Sequence, residues 1–504
     1  MLQGLTALLN PVPLLMIFLG TILGISIGAL PGLTATMGVA LLVPLTFGLS
    51  PLVGLSLLAG IYCGAVYGGS ISAILLGVPG TPAAVATMLD GHELTKQGQV
   101  TKALGAAVVA SAIGGIFSSM VLLFAAPIIA RFSLKFGPPE MFMLAVLGLT
   151  LIATLSGKDV VKGLIAGGLG LVISTTGIDP FTGTLRYAYG IPALYDGIPL
   201  TAALIGLFCF PQLIGIIEDK FKQASDSNQD IEIKGIAILP WQEIKRLWKV
   251  MLRCSIIGTI VGAIPGAGTD IAAFLGYSEA KRSSKYPEKF GTGIVDGVVG
   301  PETANNGVTG GSIIPLITLG IPGNAVSAVL LGGLLIQGLI PGQELFTKHA
   351  TITYGFMFAM IVANICFLIL GSTLIKYFGY VLKVPDSIII PVIASLCVIG
   401  SYSIRNNLLD SVLAIILGII AYFGKKLKVP MAPVCLALIL GPLAESNLGR
   451  SLLMAQTKNI NFFVFIFSRP IVLVLFAMAV TLLVTTYRMM KKVNAEAVSK
   501  TAGN

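Results

Sequence analysis

Two apolar stretches of this chain break at Pro-Gly in the same order, and that repeat constrains the fold more than any other feature. Gly20-Thr21-Ile22-Leu23-Gly24 leads into Ala29-Leu30-Pro31-Gly32, then Gly68-Gly69-Ser70, then Val78-Pro79-Gly80. In the second half, Gly258-Thr259-Ile260-Val261-Gly262 leads into Ala263-Ile264-Pro265-Gly266, then Gly310-Gly311-Ser312, then Ile321-Pro322-Gly323. Proline lacks the N–H that a helix interior needs and glycine favours non-helical backbone, so each Pro-Gly ends a helix. A duplicated pattern of interrupted hydrophobic segments points to a binding site at mid-membrane, between the two copies.

Composition supports a membrane setting. Of 504 residues, 55% are hydrophobic and 11% charged, and the mean hydropathy is +0.93. A soluble chain of this length needs more charge to cover its surface. Apolar runs of roughly 17–25 residues, the length of a spanning helix, recur throughout, as at Ala103–Ala130, Ile352–Ile375 and Pro470–Thr486. The expected fold is an all-α polytopic membrane protein of about 11–12 transmembrane helices in two structural repeats with broken, re-entrant Pro-Gly hairpins. Inverted repeats are the common solution among secondary transporters, so inversion is the expected arrangement. The short alternating strands of a β-barrel are missing from the pattern.

The expected organisation is a first transmembrane repeat over 1–217, a polar linker over 218–253, a second repeat over 254–486 and a basic tail over 487–504. The linker includes an amphipathic piece around Trp241–Lys249. The net charge of +10 is read as positive-inside clustering rather than as a nucleic-acid surface. Arg488, Lys491, Lys492 and Lys500 in the tail, Lys425, Lys426 and Lys428, and Arg131 with Lys135 form three basic groups. All three are expected on the cytoplasmic side, which puts the C-terminus there. The apolar run from Leu14 is read as a first span, not a cleaved signal. Six cysteines lie in or beside apolar segments without paired spacing, and His92 and His349 are the only histidines. Neither set suggests a metal centre or disulfides, and no structural metal or cofactor is expected. The phosphate-loop pattern G-x-x-x-x-G-K-[ST] does not occur, so energy would come from an ion gradient, Na⁺ or H⁺, or from another subunit.

A helix broken inside lipid frees N–H and C=O groups that need protein or water partners. The freed N-terminal donors suit an anion and the freed carbonyls suit a cation. Candidate site residues therefore flank the breaks: Pro31, Gly32, Thr34 and Thr36; Ser70, Pro79, Gly80 and Thr81; Pro265, Gly266, Thr269 and Asp270; and Pro322, Gly323 and Asn324. The most polar apolar-flanked stretch, Pro301 to Ser312, adds Glu302, Asn305, Asn306, Thr309 and Ser312. Its oxygens suit Na⁺ and its N–H and O–H donors suit a carboxylate. An intramembrane enzyme would need nucleophile–base or paired carboxylate groups within the spans, and no catalytic constellation stands out. A passive channel or a non-transporting scaffold would predict polar rings without paired broken helices.

At these motifs the chain resembles the large membrane subunit of tripartite tricarboxylate transporters. The resemblance rests on Gly28-Ala-Leu-Pro-Gly-Leu-Thr-Ala-Thr-Met-Gly38, on Gly60 to Ser72, and on Pro79-Gly-Thr-Pro82 through Asp90-Gly91 to Lys96-Gln97-Gly98. It continues through Phe181-Thr-Gly-Thr-Leu-Arg186, Gly262-Ala-Ile-Pro-Gly-Ala-Gly268, Pro301-Glu302, Asn305-Asn306, Gly310-Gly311-Ser312 and Leu319-Gly-Ile-Pro-Gly323. The family often has Asn where this chain has Gly77, and Pro where it has Thr269. The resemblance implies a multi-pass protein of a bacterial inner membrane that imports a small carboxylate such as citrate on an ion gradient. It also implies two partners, a small four-helix membrane subunit and a periplasmic solute-binding protein.

Overall fold

The computed structural model describes residues 1–133, 136–155, 160–179, 181–222, 236–264, 268–381, 384–403, 405–481 and 483–484. It is a bundle of helices with a single two-residue-strand hairpin, Gly177–Ile178 against Leu185–Arg186, among the described residues. A first series of helices runs α1 (Pro11–Ala29), α2 (Ala35–Leu42), α3 (Pro51–Leu76), α4 (Ala84–Lys96) and α5 (Val100–Ser133). After α6 (Leu200–Phe208), a second series runs α7 (Trp241–Ala263), α8 (Gly268–Ser283), α9 (Asp296–Leu319), α10 (Ala325–Ile336) and α11 (Ala350–Thr373). Two later helices, α12 (Leu408–Lys426) and α13 (Ala432–Thr457), complete the site region. Among the described residues, seven helices are long and apolar enough to span a bilayer, and six shorter apolar helices accompany them. The piece beginning at Trp241 is the first part of α7 rather than a separate interfacial helix.

Glycine decides how the series pack. A Cβ at Gly20, Gly24 or Gly28 would strike the carbonyls of Leu57, Ile61 and Ala65 in turn, so α1 and α3 run side by side in the same direction. Gly258 and Gly262 meet the Ala304 and Val308 carbonyls in the same way, making α7 and α9 parallel. Side chains of one carbon would separate these backbones, which is why small residues recur at helical spacing. In each series the short middle helix, α2 or α8, returns between the parallel pair.

The two series are inverted. Ser111 bonds Glu302 at 2.7 Å and Ser118 accepts from the Gly310 N–H at 3.2 Å, so α5 and α9 run the same way. Likewise Asn364 reaches Cys63 and Tyr67 stacks on Phe367 at 5.1 Å, so α3 and α11 run together. Gly115 meets Asn364 while Gly371 meets Val108, so α5 and α11 oppose one another. The equivalent helices α3 and α9 must then be antiparallel. The two halves interlock further at Asp90, which is buried in α4 and accepts from the N–H groups of Gly291, Gly293 and Ile294 at 2.9–3.0 Å and from Tyr277.

Structure and sequence align the copies differently. Gly80 abuts the Gly28 carbonyl and Gly69, whereas Gly323 abuts the Gly262 carbonyl and Ser312. Gly69 is therefore the counterpart of Ser312, so the two Gly-Gly-Ser motifs are out of register by one. Gly20–Gly24 also lies one helical turn farther from its break than Gly258–Gly262. Gly77 and Gly320 end α3 and α9 with left-handed caps at φ +65° and +72°.

The same geometry corrects one charge assignment. Arg246 pairs with Asp296 at the start of α9, and Lys102 lies beside Arg246 at the start of α5. The 34-residue α5 then carries Arg131 to the opposite end of the bundle. Lys425 follows the basic end instead, because α12 runs alongside α6 and on beside the helix Phe210–Lys222. Arg131 and Lys425 thus lie on opposite faces, against the expectation of one side; Lys135 and the tail lysines fall outside the described residues. Charge clustering without a helix length to measure against cannot separate the two ends.

Candidate functional site

The breaks converge on one cavity of about 520 Å³ between the inverted halves. Thr34, Thr36, Thr81, Thr269, Asp270, Asn305 and Asn324 line it together. Each lies at or beside a helix start, apart from Asn305 midway along α9. Thr34 caps α2, accepting from the Met37 N–H at 3.2 Å. Asn324 caps α10 in a reciprocal box: it accepts from the Ser327 N–H at 2.8 Å, and the Ser327 hydroxyl accepts from the Asn324 N–H at 2.9 Å. Gly268 to Asp270 open α8, and the Thr81 carbonyl accepts from the Ala84 N–H at the start of α4. Four helix N-termini, two from each copy, thus face one space with their partial positive ends.

Several groups in this wall are held ready but unpaired. Both amide atoms of Asn305, only 1% exposed, lack a partner, as does the Thr81 hydroxyl. An orphaned buried amide costs about 1–3 kcal/mol, which an incoming polar ligand or water would recover. Asn324 also donates to the Tyr62 hydroxyl at 3.0 Å, and that hydroxyl sits 3.0 Å from Ser312 Oγ, tying the α10 cap to both α3 and α9.

Two lining residues escape any reading of the repeat. Lys425, in the last turn of α12, faces the cavity and donates to Gln212 at 2.9 Å. Among the described lining residues it carries the one full positive charge, and Asp270, exposed at the start of α8, the one carboxylate. Lys425 reads as loop charge in sequence, and nothing local marks Gln212 or Tyr62.

The remaining candidates serve elsewhere. Pro31 and Gly32 are exposed at the break itself. Pro79, Gly80, Pro322 and Gly323 shape the hairpins, and the glycines allow close backbone approach. Ser70 donates to the Tyr67 carbonyl at 2.8 Å, and Thr309 to that of Asn306 at 2.7 Å. Glu302 and Asn306 are wholly buried behind the cavity wall. Pro265 and Gly266 lie outside the described residues.

A second cavity of about 580 Å³ lies toward the opposite face. It is lined by Ser174, Thr176, Leu200, Leu335 and Glu445, with Arg186 held to Glu445 at 2.6 Å. α6, α10 and α13 line both cavities, and their buried Leu204, Leu331 and Cys435 lie between.

Inverted copies meeting at broken helices around a polar cavity define a polytopic helical membrane protein of transporter type. The chain belongs to the tripartite tricarboxylate transporter TctA family, whose model matches residues 14–436. It is similar to the "Uncharacterized 52.8 kDa protein in TAR-I ttuC' 3'region" of Agrobacterium vitis, with 35% identity over 456 residues, 90% of this chain and 89% of that protein. It is also similar to the "Uncharacterized protein in TAR-II ttuC' 3'region" of the same organism, with 37% identity over 199 residues, 40% of this chain and 82% of that protein. No solved structure matches.

Proposed function

We propose that this chain is the large membrane subunit of a secondary transporter that takes up a small organic anion, a di- or tricarboxylate such as citrate. A Na⁺ or H⁺ gradient across a bacterial inner membrane drives it. It works with a small four-helix membrane subunit and an extracytoplasmic solute-binding protein. The observation that carries this reading is the convergence of four helix N-termini and Lys425 on one cavity. Its volume lies within the roughly 300–1,000 Å³ common for small-molecule sites. In this reading the substrate carboxylates rest on the caps of α2, α4, α8 and α10 and on Lys425, with Asn305 turning its amide to them. The basic face is the cytoplasmic one, and the C-terminal tail follows it. In this reading residues 1–217 and 254–486 form the two transmembrane repeats, and of the joining stretch 218–253 the part from Trp241 runs on into the second repeat as α7.

The test is uptake of labelled citrate and a panel of dicarboxylates into liposomes holding the chain with its small subunit and binding protein. Uptake is expected to require the binding protein and to rise with an imposed Na⁺ or proton gradient. Flux of every panel member that is indifferent to both would overturn the reading in favour of a passive channel; no flux with a correctly folded complex would favour a scaffold.

A further inference from the structure

Six carboxylates are buried among the described residues: Asp90, Glu140, Glu279, Asp296, Glu302 and Asp410. Four of them pair with arginine, at 2.9 Å for Glu140 with Arg469, 2.7 Å for Glu279 with Arg282, 2.6 Å for Asp296 with Arg246 and 2.8 Å for Asp410 with Arg405. Asp90 is served by three backbone N–H groups and Tyr277. Glu302 has neither. It is 0% exposed at mid-helix in α9, and its partners are neutral: the Thr87 hydroxyl at 2.6 Å, the Ser111 hydroxyl at 2.7 Å and the Asn306 amide at 3.5 Å. Removing a carboxylate from water without a compensating cation costs several kcal/mol.

The surroundings decide what compensates it. Oxygen predominates beside Glu302, and one oxygen there is unspent: Asn306 Oδ1, one helical turn on, has no partner. A proton on Glu302 would neutralise the carboxylate but leave this acceptor orphaned. An alkali cation would serve both. The Asn306 amide nitrogen sits 3.5 Å from Glu302 Oε2, the outer limit for a hydrogen bond, and donates to the Glu302 backbone carbonyl at 3.2 Å. The two ends of an amide are nearly equivalent in shape, so turning it over exchanges that backbone bond for an Oδ1 facing both Glu302 oxygens, an arrangement that a cation between them would hold. The separation is then ordinary for two oxygens sharing one ion.

We propose that Glu302, Asn306, Thr87 and Ser111 form a buried Na⁺ site, separate from the anion cavity and joined to it through Asn305. The site draws on α4, α5 and α9, hence on both inverted copies, so its occupancy is sensitive to how the copies sit against each other. Its role as the coupling-ion site rests on the transporter reading above; its existence does not.

The experiment measures saturable binding of radioactive sodium to the full-length chain in nanodiscs, with thermal unfolding in NaCl against KCl and choline chloride at equal ionic strength. The wild type is expected to bind Na⁺ and to unfold at a higher temperature in NaCl alone. Glu302→Gln, which keeps the shape, is expected to abolish binding. Ser111→Ala and Thr87→Ala are expected to weaken it by roughly tenfold or more while leaving the fold intact; they carry the test if Glu302→Gln does not fold. No saturable binding by the wild type, undiminished binding by these variants, or stabilisation that follows pH and ignores Na⁺ would each overturn the site. Neither partner subunit nor carboxylate is needed, so Na⁺ binding without any citrate uptake would count against the transport reading alone.

Discussion

At the scale of single residues, the site divides into groups that advertise themselves and groups that do not. Thr34, Thr81, Thr269 and Asn324 stand one to three residues beyond a Pro-Gly. Their position is legible because a helix start needs an acceptor nearby and the break supplies the start. Lys425 and Gln212 come to the cavity only because α12 and the helix Phe210–Lys222 fold over the repeat, a long-range event with no local mark. Their contribution can be weighed separately. Lys425→Gln is expected to weaken binding of a carboxylate by about three- to fivefold, the worth of a partly solvated charge, and the loss should shrink as salt rises. Lys426→Gln is the control, since Lys426 pairs with Glu218 at 3.2 Å. Titration calorimetry on both variants checks this, and equal losses would remove Lys425 from the site.

At the scale of elements, the Pro-Gly hairpins depend on glycine for contact rather than for turning alone. A Cβ on Gly323 would collide with the Gly262 carbonyl and with Ser312, both backbone-anchored. Gly323→Ala is therefore expected to cost about 1–3 kcal/mol, seen as a lower unfolding temperature in detergent. Gly168→Ala, in a helix with open space around the new methyl, should be neutral or slightly stabilising. If both behave alike, the close approach is not what the hairpin needs. The strand hairpin near Arg186 responds to a different variable. The Asp179 carboxyl is held below its usual range, first by the Thr182 and Phe181 N–H groups and then by Arg186. A lowered folded-state pKa gives stability that is present above the unfolded value and lost as pH falls through the folded one. Amide exchange across residues 177–197 should thus stay slow through neutral and mildly acid pH and quicken only below the ordinary carboxylate range. Asp179→Asn should exchange quickly already at neutral pH, and a variant as protected as the wild type would refute the account. Sequence exposed the four breaks because Pro and Gly act on their own backbone. It hid the one-residue slip between the Gly-Gly-Ser motifs, because register is set across helices and not along them.

At the scale of the whole molecule, inversion follows from chains of contact between α3, α5, α9 and α11, none of which a hydropathy count can supply. Span counting stumbles on the half-helices, so the sense of the second copy stays open until partners are known. Once it is known, the two cavities acquire a relation. Both are lined by α6, α10 and α13, they open toward opposite faces, and buried Leu204, Leu331 and Cys435 fill the space between. Interiors this densely packed do not pass a polar solute without rearrangement, since a path needs side chains to leave their sites. Two cavities separated by a packed layer therefore imply access from one face at a time. Single cysteines test this with a membrane-impermeant thiol reagent: Ala432→Cys in the first cavity's wall and Ser174→Cys in the second cavity. In resting vesicles each should react from its own face only, Ala432→Cys from the basic face and Ser174→Cys from the other. The six native cysteines are free and five are buried, so they should add little background. Carboxylate together with Na⁺ should change both labelling rates, in opposite directions, as the copies move against one another. Reaction of either cysteine from both faces without substrate would mean an open pore and would sink alternating access for this chain.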